Sequence, residues 1–222
     1  QIAMIEKSTL DFLSKLKQNN NRDWFLEHKA EYEKAKSNFV EFVQQLIQEV
    51  AKFDSSVKGL DAKKCVFRIN RDIRFSSDKS PYKSNMGASF SAGGKNSTNP
   101  GYYIHIEGNK SFLAAGKWMP DPTMLSAIRQ EIDYNTKEFK KIITAKEFVS
   151  FFGELSEDDK LKTAPKGYPK DHPELELLKL KSFIAVHSFN QKEVLGKTFL
   201  ADCVKGCKLV YPLTKFLSRA IS

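Results

Sequence analysis

Lys64-Cys65-Val66-Phe67-Arg68-Ile69-Asn70 alternates Cys65, Phe67 and Ile69 against Val66, Arg68 and Asn70, and three further strand-like pieces follow at Met86–Ser91, Tyr102–Glu107 and Phe112–Lys117. Period-two pieces separated by turn-forming residues are the pattern of β-strands. Ser91 to Gly101 holds three Gly, one Pro and several Ser and Asn. That composition suits a hairpin connection better than a linker between domains. The middle of the chain therefore predicts a sheet made of neighbouring strands.

Outward from this region the period changes. On the N-terminal side, Ser8 and Asp11 are placed to cap a helix that buries Leu10, Phe12, Leu13 and Leu16, and Asn19-Asn20-Asn21 stops it. From Asp23, apolar residues from Trp24 to Phe53 recur mostly at spacings of three, four or seven without Gly or Pro, which predicts one long amphipathic helix. On the C-terminal side, Asp121 and Pro122 open a helix whose Leu125, Ile128 and Ile132 face inward. Phe139 to Phe152 continues as short helices, and Leu161 to Pro169, rich in Pro and Gly, is a loop. Pro173 opens a short helix, Phe183 to Phe189 is extended, and Gln191 to Ile221 is helical with an interruption near Gly206 or Pro212. Helices at both ends of a run of strands predict an α+β fold. The expected arrangement is a central, mostly antiparallel sheet with N-terminal and C-terminal helices packed on it, in a single domain over residues 1–222.

The 222 residues are 41% apolar and include 17 Phe, enough for a sizeable core. The net charge of +9 favours an acidic partner. Cys65, Cys203 and Cys207 lack a second Cys pair or a nearby His to complete a zinc site, and Cys203 and Cys207 read as small buried residues on a helix. His28, His105 and His187 stand apart in sequence, so neither metal nor cofactor is expected. No run of about 18 apolar residues is present, so no membrane attachment is expected and the cytoplasm is the simplest location. Phosphate-loop, dinucleotide and nucleophile-elbow glycine patterns are missing.

The charge is concentrated. Between Lys63 and Lys83, seven cations stand against two carboxylates, a net +5 of the chain's +9. If the strand runs past Asn70, Arg68, Asp72 and Arg74 share a face and Arg71 lies on the other. Arg68 and Arg74 are then the preferred pair for a bidentate grip on carboxylate or phosphate, with Asp72 holding their planes in place. Asp78, Lys79, Tyr82 and Lys83 complete the segment. The competing reading is a structural ion-pair network, yet positive charge remains in surplus after both Asp residues are paired.

These residues also carry a resemblance. Asn20-Asn21-Arg22-Asp23-Trp24-Phe25, Phe67 through Phe75, Asp78-Lys79-Ser80-Pro81-Tyr82-Lys83, Gly116-Lys117-Trp118 and Ala164-Pro165-Lys166-Gly167-Tyr168 resemble the family catalogued as domain of unknown function 2461, found in bacteria and fungi. The resemblance runs from Leu10 to about Phe189. It implies a single domain with these positions as signature and no known cofactor.

Further candidates come from the Pro-rich loop, where Lys166, Tyr168 and His172 add a cation and groups able to move protons. Trp118 is a candidate aromatic wall. The leading expectation is a pocket for an anionic small molecule, enzymatic or not, in which Arg68, Arg71, Arg74, Lys79, Lys83 and Lys166 meet the anion and Tyr82, Tyr168 or His172 handles protons. The alternatives are a nucleic-acid surface, with Phe75, Tyr82, Tyr102 and Tyr103 beside cations, and a structural or partner-binding module.

Overall fold

The computed structural model describes residues 1–222. Four strands, β1 (Met86–Ser91), β2 (Gly101–Ile106), β3 (Ser111–Lys117) and β4 (Phe183–Phe189), form an antiparallel sheet in the order β1-β2-β3-β4. All four were legible as strand-like or extended pieces, and the register shows why they pair. Ala88 sits opposite Ile104 and Ile104 opposite Leu113, while Phe90 opposes Tyr102 and Tyr102 opposes Ala115. One face of the sheet is therefore continuously buried, as period two requires.

Ten helices surround the sheet. They are α1 (Lys7–Gln18), α2 (Arg22–Glu27), α3 (Lys29–Val50), α4 (Ala62–Cys65), α5 (Pro122–Tyr134), α6 (Thr136–Ile143), α7 (Lys146–Phe152), α8 (Leu175–Leu178), α9 (Gln191–Val194) and α10 (Phe199–Ile221). Helices at both ends of the chain around an antiparallel sheet make this an α+β fold. The long helices α3 and α10 lie on the buried face of the sheet, α3 against β1 and α10 across β3, and α1 packs on α3. Phe42 of α3 stacks on Phe199 of α10 at 5.1 Å, and Phe199 meets Phe189 of β4 edge-on at 5.0 Å. One apolar cluster links these helices to the sheet. Cys65, Cys203 and Cys207 are all buried within it as free thiols. No helix is long and apolar enough to cross a membrane.

Four local expectations are corrected. The helix expected to start at Ser8 has Glu6 as its N-cap, and the Ser8 hydroxyl donates to the Glu6 carboxylate. The single helix expected from Asp23 is broken at His28, whose ring stacks on Trp24 at 3.9 Å and whose Nδ1 meets the Trp24 carbonyl at 2.8 Å. The Lys64–Asn70 piece is not a strand. It begins with the α4 turn and its backbone pairs with the sheet only at a Val66–Ala88 bridge; Cys65 and Ile69 are buried while Phe67 stays 40% exposed. Finally, the interruption near the C-terminus falls between α9 and α10. The latter helix runs unbroken through both Gly206 and Pro212.

At Gly206 the lack of a side chain is what lets α10 approach the sheet. A Cβ there would lie 2.6 Å from the Leu113 side chain and 2.7 Å from the Phe151 ring. Gly116 in β3 has φ +124 and would drive a Cβ into the Phe183 carbonyl. Its place in the Gly116-Lys117-Trp118 signature is thus a backbone requirement.

Candidate functional site

The cationic segment folds as an excursion from the edge of β1. Asn70 bridges Tyr82, the Arg71 amide donates to the Pro81 carbonyl and the Lys83 amide to the Ile69 carbonyl, so residues 71–81 form a loop closed at its base. The extended strand past Asn70 does not form, and the face assignment of Arg68, Asp72 and Arg74 does not hold. Signature residues fix the base of the loop. The Asn20 amide both donates to the Tyr82 carbonyl (2.8 Å) and accepts its N–H (3.0 Å), which imitates a β-bridge. Asn21 caps α2 by accepting the Trp24 amide, and Phe25 of α2 stacks on the buried Tyr82 ring at 4.1 Å.

Two arginines of the loop are held by its own carboxylates. Arg71 reaches inward and is only 26% exposed. It donates to the Asp78 carboxylate (2.7 Å), to the Ser80 carbonyl (3.0 Å) and to the Asp78 carbonyl and Ser76 hydroxyl (both 3.4 Å). Arg74 grips Asp72 with two parallel bonds of 2.9 and 2.7 Å on the exposed side. The Arg74 bond is the main reason the Asp72 carboxyl lies below the usual range. The Asp78 carboxyl is also lowered, first by the Ser80 hydroxyl and amide and to a lesser degree by Arg71. Lys79 donates to the Ile73 carbonyl at 2.9 Å.

A different set of cations remains without a carboxylate. The Arg68 guanidinium makes no internal hydrogen bond or ion pair and the residue is exposed, although its field adds a minor lowering influence on Asp72. Lys83 spends one N–H on the Arg68 carbonyl (2.8 Å), and Lys95, from the β1–β2 connection, spends one on the Val66 carbonyl (3.1 Å). Their ammonium groups lie 5.7 and 5.3 Å from the centroid of the Phe67 ring. Burial, followed by the charges of Arg68 and Lys95, pushes the Lys83 ammonium below its ordinary pKa. Mutual repulsion of this kind marks cations gathered without a counterion.

Phe67 leads onto the open face of the sheet. Its ring is 6.2 Å from that of Tyr103. The Tyr103 hydroxyl meets His105 Nδ1 at 2.8 Å, and His105 Nε2 meets Glu107 at 2.9 Å. Ser84, next to Lys83 in the chain, donates to the same Glu107 carboxylate at 3.3 Å. Burial, with Glu107 adding to it, pushes the Tyr103 phenol up to about 12. His105 is therefore not isolated in space. The signal that finds it is the spacing Tyr103-x-His105-x-Glu107, which in a strand puts all three side chains on one face.

The other candidates lie elsewhere. His172 joins Asp133 of α5 at 2.8 Å and accepts the Glu174 amide, and Tyr168 meets the His172 ring edge-on at 5.8 Å. Neither bonds to the segment from Arg68 to Lys83. Lys166 is exposed with no hydrogen-bond partner, and Trp118 is 68% exposed just after β3. Of the four aromatic residues considered for base stacking, Tyr82 and Tyr102 are buried, the latter donating to buried Asp54 at 2.9 Å. Tyr103 is half-buried, and Phe75 is 96% exposed.

A family model described as a conserved hypothetical protein, DUF2461, matches residues 8–216. The chain belongs to this family. The match covers the helices, the whole sheet and most of α10, so the signature segments quoted above are parts of one family fold. No curated protein and no solved structure matches the chain.

Proposed function

We propose that the protein binds an acidic small molecule, carrying phosphate or carboxylate, over the Phe67 ring between Arg68, Lys83 and Lys95. The observation that carries this reading is the gathering of three cations with no carboxylate partner, one of them with a depressed pKa. Each lysine retains two N–H donors after its bond to a carbonyl, and Arg68 retains all five. Arg71, Asp72, Arg74 and Asp78 shape the neighbouring loop and leave the anion to this cluster. A bound anion would offset the repulsion that the cations otherwise impose on the fold. Thermal melting tests it. Inorganic phosphate is expected to raise the melting temperature of the wild type, as for any ligand that prefers the folded state. Arg68→Ala should melt at or slightly above the wild type in phosphate-free buffer yet lose most of that rise, whereas Arg74→Ala should keep it. No rise with phosphate, sulfate or citrate would overturn the reading.

A second reading is favoured by one observation: Phe75 is 96% exposed beside the Arg74 guanidinium, 5.7 Å from its ring. An aromatic face next to cations suits the stacking of unpaired bases on a charged surface.

A further inference from the structure

We infer that Tyr103, His105 and Glu107 form a proton relay ending at the anion site, so that the site takes an acidic substrate carrying a transferable proton. This rests on the anion reading above and adds the chemistry.

His172 and His105 are each oriented by a carboxylate, Asp133 and Glu107 respectively. They differ at the second ring nitrogen. His172 Nδ1 accepts a backbone N–H, whose proton cannot leave, whereas His105 Nδ1 meets the hydroxyl of Tyr103. With the Nε2 proton directed at Glu107, Nδ1 is free to accept the phenol proton. This is the geometry in which a base is held in one tautomer and its cation is stabilised after transfer. The groups facing His105 from the adjoining strands bring no charge: its cross-strand neighbours are Gly87 and Phe112, and Phe112 stacks on the ring at 4.6 Å. Glu107 is thus the charged partner of the ring.

The position of the phenol depends on Gly87. A Cβ at that position would lie 2.5 Å from the Tyr103 hydroxyl oxygen, so a glycine is what lets the phenol lie across β1. The Phe67 ring is a shared neighbour of Tyr103 and of the two ammonium groups, and Lys83 is joined to Glu107 through the adjacent Ser84. The shared Phe67 ring is what would bring an anion held by the cations next to the phenol.

The step balances without a redox partner. The substrate's acidic O–H gives its proton to the Tyr103 oxygen as the Tyr103 proton passes to His105 Nδ1. The electron pair stays on the substrate oxygen beside Arg68, Lys83 and Lys95, and the imidazolium faces Glu107. Tyr103 is the catalytic residue of this step. His105 and Glu107 act through it.

Inorganic phosphate and sulfate separate the possibilities, because at neutral pH part of the phosphate is the dihydrogen ion, which has an acidic proton to give, and sulfate has none. Nitrogen-15 NMR of labelled histidine in the full chain reads the protonation of both ring nitrogens of His105. Both anions are expected to raise the melting temperature, but only phosphate should move the His105 signals to the imidazolium pattern. Tyr103→Phe should abolish that change while keeping the thermal response. Protection by phosphate with unchanged His105 signals, or equal changes with sulfate, overturns the relay and leaves the anion site standing. Absence of protection by either anion removes both.

Discussion

Arg71 and Arg74 differ in what a deletion would undo. Arg71 gathers a carboxylate, two carbonyls and a hydroxyl across the loop and is largely covered, so it holds residues 71–80 in shape. Arg74 meets Asp72, two residues away, on the exposed side, where an ion pair contributes little to stability. Arg71→Ala is expected to make the loop cleavable by chymotrypsin at Phe75 at least several-fold faster than in the wild type, and Arg74→Ala to leave the rate within about twofold of it; equal rates in both variants would contradict this. Lys83 yields a pH prediction. Its folded pKa lies below the ordinary 10.5, chiefly through burial and then through Arg68 and Lys95. Below that lowered value the ammonium is charged, which costs folded-state stability and completes the anion site. As pH rises from it toward the ordinary 10.5, the cost fades, and the folded protein loses the charge at the start of that window. Phosphate protection should therefore fade at a lower pH than an exposed lysine would dictate, and Lys83→Arg, charged throughout, should extend protection to higher pH. An alkaline limit identical in both proteins would contradict the assignment. In sequence, Arg68 and Arg74 look equivalent, since spacing says nothing about which arginine the loop's two carboxylates will take.

At the scale of elements, the strands and the Asp121 cap were legible because they depend on neighbours in sequence: the Asp121 side chain accepts the Met124 amide as expected. The missed features depend on distant partners. Gly206 and Pro212 look like helix breakers, but α10 is pressed on β3 and its burial outweighs the local penalty, about 1 kcal/mol for Gly and about 3 kcal/mol for Pro in an isolated helix. Gly206 contacts Leu113 and Phe151 closely enough that a methyl group has no space. Gly206→Ala should therefore destabilise the fold by about 1–3 kcal/mol through overpacking, despite the gain in helix propensity; urea unfolding measures it, and a stabilised variant would show that α10 has room to shift. Lys64 to Asn70 failed as a strand for a related reason. Its alternation is real, but the α4 turn and the path of the 71–81 loop leave only one bridge to β1.

For the whole molecule, the charge of +9 and the cluster around Phe67 point to different kinds of partner. Small-anion binding at three cations should weaken modestly with salt through screening, whereas binding of a single-stranded nucleic acid along the surface should fall steeply as counterions are released, with a log-log slope of about −0.7 per phosphate neutralised. Titration of a fluorescent oligonucleotide between about 50 and 200 mM salt separates them: a fall of a hundredfold or more, lost in Phe75→Ala, would favour the nucleic-acid reading, and no binding at low salt would remove it. The α+β class, the first three strands and the surplus of positive charge around Arg68 follow from composition and periodicity, which act between residues close in sequence. The pairing of Arg71 with Asp78, the approach of Lys95 to Phe67 and the meeting of Phe67 with Tyr103 depend on how loops return to the sheet. Such contacts are selected by burial and geometry across the folded chain, and no local pattern encodes which of several like charges will be left without a partner.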